Sequence, residues 1–144
     1  MGMGLSPLQE TILRLALANV ETPPPDAADK DDWVHVHHAE VMAKHYGFTP
    51  AVGKSPGHRW YGRLPDLRGN GHIFSRKAIG EKRYNAACVA ATRAFKRLTE
   101  RGLVERYCWA ITERAFGAKL TEAGIEVARM LTVKHAGNSR SLNR

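Results

Sequence analysis

The segment EKRYNAACVAATRAFKRLTER, residues 81–101, decides the fold because it predicts the longest helix of the chain. Apolar side chains recur along it at intervals of four, three, four and three residues, which places them on one buried stripe. The stripe consists of Tyr84, Cys88, Ala91, Phe95 and Leu98. The rest of the helix surface is polar and basic, so the stripe fixes which side of the helix faces outward.

A β-hairpin is predicted directly after this helix. Gly102 ends the helix, and residues 103–112 are typical of a strand because they are rich in β-branched and aromatic side chains. Residues 113–117 form the predicted turn, and residues 118–120 form a short return strand.

The last helix is predicted to begin after Thr121, a good N-cap residue, and to end near Val133. Residues 134–144 are rich in small and polar side chains, which predicts a flexible tail. The predicted domain therefore covers residues 1–133.

Two shorter helices are predicted before the long one. Ser6 suits an N-cap, Pro7 suits the first helical position, and Gln9 follows Ser6 by three residues as in a capping box. The apolar stripe predicted for this first helix consists of Leu5, Leu8, Ile12 and Leu15. A short extended piece is expected at residues 33–36, followed by a second helix over residues 37–46.

Residues 48–80 are predicted to be a long basic loop inserted between the second helix and the long helix. A connection of this length inside a small domain is uncommon and is usually functional or disordered. Basic residues are interleaved there with Trp60 and Tyr61, which suits contact with phosphates and exposed bases, although the two aromatic residues alternatively anchor the loop on the core. A short helical turn is predicted to begin at Ser75.

The chain has 144 residues and a formal net charge of +8, and this charge is concentrated in its middle third. Residues 1–50 sum to −4, residues 51–101 to +9 and residues 102–144 to +3. This asymmetry favours a directed surface for a polyanion, and a basic loop without a partner is the alternative. Nucleic acid is favoured over an acidic membrane because the apolar stripe of the long helix leads directly into core residues.

Two phrases of sequence carry a resemblance to a known family. The first is AFKRLTERGLVER, residues 94–106, and the second is KLTEAG, residues 119–124. The first resembles the end of the recognition helix and the first wing strand of MarR-like winged helix-turn-helix DNA-binding proteins. The second resembles their second wing strand and the helix that follows. The resemblance implies a mainly α fold with a small β-hairpin wing, double-stranded DNA as partner, and a role in transcriptional regulation.

In such a fold the long helix lies in the major groove, which is about 12 Å wide and accepts one α-helix. Asn85 suits adenine and Arg93 suits guanine, whereas the neighbouring cations suit phosphates. The predicted DNA-contacting residues of the helix are Lys82, Arg83, Asn85, Val89, Thr92, Arg93, Lys96 and Arg97. The loop and the wing add Arg63, Arg68, Arg76, Lys77, Arg114 and Lys119. Each charge alone fits a solvated helix face, but the whole set on one side favours DNA.

The segment 48–80 departs from the family pattern, in which a few residues join the two helices. Either it is an insertion that folds over the DNA-binding face, or the second helix is not the partner of the long helix. The resemblance also implies a homodimer through the terminal helices, whose apolar faces over residues 5–17 and 125–133 would pair.

Two other functions are compatible with the sequence. A winged-helix interaction module in a replication, partition or mobile-element complex would use its basic surface weakly for nucleic acid, or for a protein partner. An RNA-binding protein would use the loop around Trp60 and Tyr61.

Metal binding and catalysis have less support. His35, His37 and His38 form a cluster near His45, but the chain lacks the closely spaced cysteine pairs of structural zinc sites. It also lacks the phosphate-binding glycine motif, the zinc-protease motif and the serine-hydrolase elbow, so neither an enzymatic activity nor a cofactor is predicted. No apolar run approaches the roughly 20 residues that span a bilayer. Two cysteines are too few for a disulfide scaffold, so a cytoplasmic protein without a membrane partner is predicted.

Overall fold

The computed structural model describes residues 4–22, 34–48, 74–108 and 115–142. These residues are mostly helical and include one small antiparallel sheet. In chain order the elements are α1 (Pro7–Glu21), β1 (Val36–His37), α2 (His38–Lys44), α3 (Arg76–Ile79), α4 (Glu81–Glu100), β2 (Val104–Cys108), β3 (Ala115–Leu120) and α5 (Glu122–Leu142). None of the helices in these ranges is long and apolar enough to cross a membrane.

The sheet has three strands, and β3 lies in its centre between β1 and β2. β2 and β3 pair antiparallel with Val104 opposite Leu120, which confirms the predicted hairpin. β3 begins at Ala115, three residues before the predicted return strand. The reason is that pairing with β2 continues to Cys108, across an irregularity that follows Tyr107.

The strand β1 forms one edge of the sheet. The sequence predicts only a short extended piece in this region. Val36 lies opposite Ala118, and His37 lies opposite Gly117 of β3. A Cβ atom at Gly117 would lie 2.6 Å from the carbonyl oxygen of Val36, closer than real contacts allow. A glycine at this position therefore lets β1 approach the centre of the sheet.

The helix α1 begins where the sequence predicts. The Ser6 hydroxyl accepts a hydrogen bond from the Gln9 amide at 3.2 Å, and the Gln9 side chain accepts one from the Ser6 amide at 3.2 Å. The most deeply buried residues of this helix are Ile12, Leu13, Ala16 and Leu17. The predicted stripe is therefore correct only in part, because Leu5, Leu8 and Leu15 lie half-buried at the edge of the core.

The main core forms where α1, α4 and α5 pack against the sheet. Phe95 and Leu98 of α4 are fully buried in it, together with Leu131 of α5. Burial of Phe95 and Leu98 confirms the C-terminal part of the predicted stripe, whereas Tyr84 and Cys88 lie half-buried in its N-terminal part.

A second apolar cluster joins α2 to the first half of α4. Its buried members are Ala39, Met42, Phe48, Phe74, Ala87 and Ala91. Phe48 and Phe74 meet edge to face, with 6.2 Å between ring centroids. α2 and α4 pack against each other, as the interpretation of α2 as the partner of the long helix requires.

Residues 49–73 lie outside the described part of the chain. They include Arg63, Arg68, Trp60 and Tyr61 of the predicted basic loop. The rest of that segment is described and contains α3. The Ser75 hydroxyl caps α3 by accepting a hydrogen bond from the Ala78 amide at 3.2 Å, which confirms the helical turn predicted there.

The helix α5 continues to Leu142, nine residues past the end predicted near Val133. The prediction that the last helix ends near Val133 is therefore wrong, because residues 134–142 are helical. Glycine and serine in this stretch lower helix propensity by about 1 kcal/mol or less each. No proline interrupts the stretch, so nothing in it breaks the helix.

Candidate nucleic-acid interface

The outward surface of α4 carries all eight helix residues predicted to contact DNA, and each of them is exposed. Five of the eight recur at intervals of three, four, four and three residues, so they form a single line along the helix. This outward line consists of Lys82, Asn85, Val89, Arg93 and Lys96, and its flanks carry Arg83, Thr92 and Arg97. At 1.5 Å of rise per residue, the line is about 21 Å long.

The charge of this surface has one sign between the two ends of the helix. Glu81 and Glu100 are the first and last residues of α4, both are exposed, and no Asp or Glu lies between them. Glu81 is favourable in the first turn because the helix dipole is positive there. Of the five cations of α4, Lys96 and Arg97 are spaced to pair with Glu100, whereas Lys82, Arg83 and Arg93 have no acidic residue three or four positions away on the helix.

Two arginines beside the start of the outward line lie against aromatic rings. The guanidinium carbon of Arg76 is 5.1 Å from the centroid of the Tyr84 ring, and that of Arg83 is 5.1 Å from the centroid of the Phe48 ring. Such cation–π contacts contribute about 0.5–1 kcal/mol at exposed sites. Both arginines and Lys77 remain exposed. The aromatic cluster formed by the rings of Phe48 and Tyr84 therefore positions the two arginines at this end of α4 and leaves them in solvent.

The hairpin presents its cations less openly than predicted. The Lys119 ammonium lies 4.8 Å from the centroid of the Tyr107 ring on β2, and Lys119 is half-buried. Arg106 of β2 is also half-buried, and its Nε atom is buried without a hydrogen-bond partner in the described structure. Arg114, predicted at the tip of the wing, lies outside the described residues.

Gly80 joins α3 to α4, and the sequence alone does not predict this role. Its φ angle is 102°, a backbone conformation that residues with a side chain rarely adopt. Because α3 ends at Ile79 and α4 begins at Glu81, this single residue makes the whole turn between the two helices. The feature of the sequence that could have predicted this turn is a lone glycine between two helix-forming stretches.

The histidines of the predicted cluster make separate structural contacts. His35 Nδ1 accepts a hydrogen bond from the Leu120 amide at 2.8 Å, and the His38 ring stacks on Phe95 with 4.1 Å between centroids. His37 is the N-cap residue of α2. Within the described ranges, no group of three His, Cys, Asp or Glu residues is arranged to hold a metal ion.

Cys88 lies half-buried beside the end of α2, where it packs against the second apolar cluster with Tyr46. The pKa of Tyr46 is raised above its usual value of 10.0, mainly by burial and to a smaller extent by the neighbouring Cys88. The phenol of Tyr46 therefore stays neutral at physiological pH, as a packed aromatic side chain at the α2–α4 junction.

The terminal helices, predicted to pair between two copies, pack against each other within one chain. Ile12 and Leu13 of α1 have no exposed surface, so the central part of the apolar face predicted over residues 5–17 is not available to a partner. In α5, by contrast, Met130 is 58% exposed and Val133 is 73% exposed.

Comparisons with known proteins do not assign the chain to a family. No protein-family model matches it, and neither a curated protein nor a solved structure is significantly similar to it. Its function must therefore be inferred from the geometry of its own residues.

Proposed function

We propose that this protein binds double-stranded DNA through a winged helix-turn-helix domain and regulates transcription. The element order α1, β1, α2, α4, β2, β3 and the central position of β3 are compatible with that fold. The packing of α2 against α4 is what the two helices of a helix-turn-helix require. In this arrangement α3 and the segment before it are an insertion between the two helices.

The outward line of α4 is the observation that carries the proposal. The opposite face of the helix is buried in the core, so the polar and basic side chains of the line can face only solvent or a partner. A helix of this kind fits the major groove. Asn85 then makes paired hydrogen bonds to adenine and Arg93 to guanine, each contact discriminating against a wrong base by about 1–3 kcal/mol.

The remaining cations contact phosphates in this mode of binding. Lys82, Lys96 and Arg97 lie on α4 itself, and all three are exposed. Arg76 and Arg83 approach from the aromatic cluster at the start of the helix. Phosphate contacts fix the orientation of a protein on the duplex and carry no direct sequence information.

Fluorescence anisotropy with a labelled duplex at low salt tests the proposal. The variants Arg93→Gln/Lys96→Gln on α4 and Arg129→Gln/Lys134→Gln on α5 remove the same charge from exposed positions. We expect the α4 variant to bind roughly tenfold more weakly or worse, and the α5 variant to bind almost as the wild type does. Selection from a random duplex pool then measures whether binding is sequence-specific, as regulation requires.

Two outcomes contradict the proposal in different ways. No binding of duplex DNA by the wild type at low salt rejects the function. Equal weakening by the α4 and α5 variants leaves DNA binding in place but rejects α4 as the surface that performs it.

A second candidate function is a winged-helix module that assembles a protein complex. Met130 and Val133 supply a surface for it, and equally for the homodimer expected of the DNA-binding domain, because these exposed apolar side chains are three residues apart on α5 and share one face. Sedimentation of the wild type and of Met130→Ser/Val133→Ser tests whether this face holds a second copy. A dimer that the double substitution dissociates supports the face as an interface, whereas a monomeric wild type rejects self-association there.

A further inference from the structure

Val89 lies at the centre of the outward line and is 50% exposed. Asn85 precedes it by one helical turn and Arg93 follows it by one turn, so polar base-reading candidates flank it on both sides. A single exposed apolar residue on a surface is ordinary. The position of Val89, in the middle of the surface proposed to enter the groove, is what gives it meaning.

The surface beside Val89 is a shallow depression whose lining is mostly apolar. It is formed by Cys88, Val89, Thr92 and Arg93. The valine contributes methyl groups, and the aliphatic stem of Arg93 is apolar below its charged head. The depression therefore combines an apolar floor with a cationic rim.

We propose that Val89 recognises the C5 methyl group of a thymine in the major groove. This inference rests on the proposed DNA-binding function and adds the base that the centre of α4 reads. The base edges in the major groove present hydrogen-bonding groups, and the thymine methyl is their apolar feature. An apolar floor fits this group, while the amide of Asn85 and the guanidinium of Arg93 contact neighbouring bases.

The charges around the depression favour DNA over an apolar protein surface as the occupant. Lys82, Arg93 and Lys96 lie along the same line, and no acidic residue of α4 lies between its two ends. An apolar protein partner would have to desolvate these cations without compensation. The phosphates on both sides of the major groove compensate them while the methyl group reaches the valine.

A deoxyuridine scan tests the contact, because uracil lacks the methyl group and keeps every hydrogen-bonding group of thymine. Each thymine of a duplex selected from a random pool is replaced in turn. We expect one position at which the wild type binds about fourfold more weakly, the value of burying one methyl group. In Val89→Ala the same replacement has a much smaller effect, because the two Cγ methyl groups that packed against the thymine are gone.

Two further variants sharpen the measurement. Val89→Thr keeps the shape of valine and one of its methyl groups, so it retains part of the uracil response. Arg129→Ala shortens an exposed side chain of α5, away from the outward line, and leaves the response at full size. Circular dichroism of Val89→Ala shows whether α4 is intact, and we expect an unchanged spectrum since the site is exposed.

The outcomes separate this inference from the function on which it rests. Duplex binding that is insensitive to uracil at every position, or a uracil effect that persists unchanged in Val89→Ala, overturns the thymine contact and leaves DNA binding standing. A selected site without thymine overturns it in the same way. Failure of the wild type to bind any duplex at low salt overturns both.

Discussion

The hydroxyl of Thr121 donates a hydrogen bond to the carbonyl oxygen of Gly102, with 2.6 Å between the two oxygens. The Thr121 amide donates to the Leu103 carbonyl oxygen at 3.0 Å, and the Gly124 amide donates to the Thr121 hydroxyl at 3.1 Å. These bonds join the end of α4 to the start of α5. The two sequence phrases that resemble winged-helix regulators therefore meet in space at this point.

Replacing Thr121 with valine removes both side-chain hydrogen bonds and keeps the shape of the residue. We expect Thr121→Val to lower the free energy of unfolding by about 1 kcal/mol, the usual value of an N-cap. Urea denaturation followed by circular dichroism measures this. Thr121→Ser keeps the hydroxyl and serves as the control, so an equal loss in both variants would show that the hydrogen bonds are not the cause.

Replacing Gly124 with alanine tests the close approach between α5 and the hairpin. In an ordinary helix this substitution raises stability by about 0.5–1 kcal/mol. A Cβ atom here would clash with the carbonyl oxygen of Leu103, so we expect Gly124→Ala to lower the free energy of unfolding by about 1–3 kcal/mol instead. Ala123→Gly, at the exposed neighbouring position, measures helix propensity alone. A stabilised Gly124→Ala would mean that α5 can move away from the hairpin at little cost.

The contact between Phe48 and Phe74 holds together the two ends of the segment that separates α2 from α3. Both side chains are almost fully buried, so we expect either alanine substitution to lower the free energy of unfolding by about 3–5 kcal/mol. The rings touch, so the double variant should lose less than the sum of the two single losses. Strictly additive losses in urea denaturation would indicate that each ring packs independently.

Much of the helical structure could be predicted because its signals are local. The stripe of α4 repeats over several turns, and the capping box of Ser6 and Gln9 lies within four residues. The strand β1 is different, because it has two residues and its partner Ala118 is far away in the chain. No local pattern contains that pairing. The same holds for Gly117, whose lack of a side chain matters only because the carbonyl oxygen of Val36 on β1 lies close to it.

The part of the candidate site on α4 could be predicted, because the buried stripe determines which side of this helix faces outward. That orientation places the predicted side chains of the helix outward, as the structure has them. The sequence does not reveal that Arg76 and Arg83 lie on aromatic rings, because the rings of Tyr84 and Phe48 reach them through tertiary packing. Lys119 likewise lies against a ring of the neighbouring strand, which the alternation of residues along β3 does not predict.

Asn19 offers a stability test with a defined pH dependence. Its amide group donates to the His35 carbonyl oxygen at 2.8 Å and to the buried Glu40 carboxylate at 3.0 Å. Asn19→Asp is nearly isosteric but places a second carboxylate beside Glu40, and each of the two raises the pKa of the other in the folded protein. The folded variant then binds protons more tightly than the unfolded chain does.

Stability of Asn19→Asp relative to the wild type should therefore be highest below about pH 4, the range of unfolded carboxyl groups. It should fall as the pH rises toward 7. Urea denaturation at both pH values measures the difference. Asn19→Ala is the control, because it removes the donor without adding a charge, and a pH dependence as steep as that of Asn19→Asp would exclude carboxylate repulsion as the cause.

Arg93 and Lys96 are neighbours on the outward line, yet we expect their alanine variants to change DNA binding differently. Arg93→Ala should weaken binding to a selected site by about 1–3 kcal/mol and relax the preference at one base pair. Lys96→Ala should weaken all duplexes alike and lower the slope of log affinity against log salt by about 1, because one counterion fewer is released. Anisotropy titrations across a range of salt concentrations measure both effects. Equal effects of the two substitutions on base preference would mean that the residues do not divide base reading from phosphate contact, even if both still weaken binding.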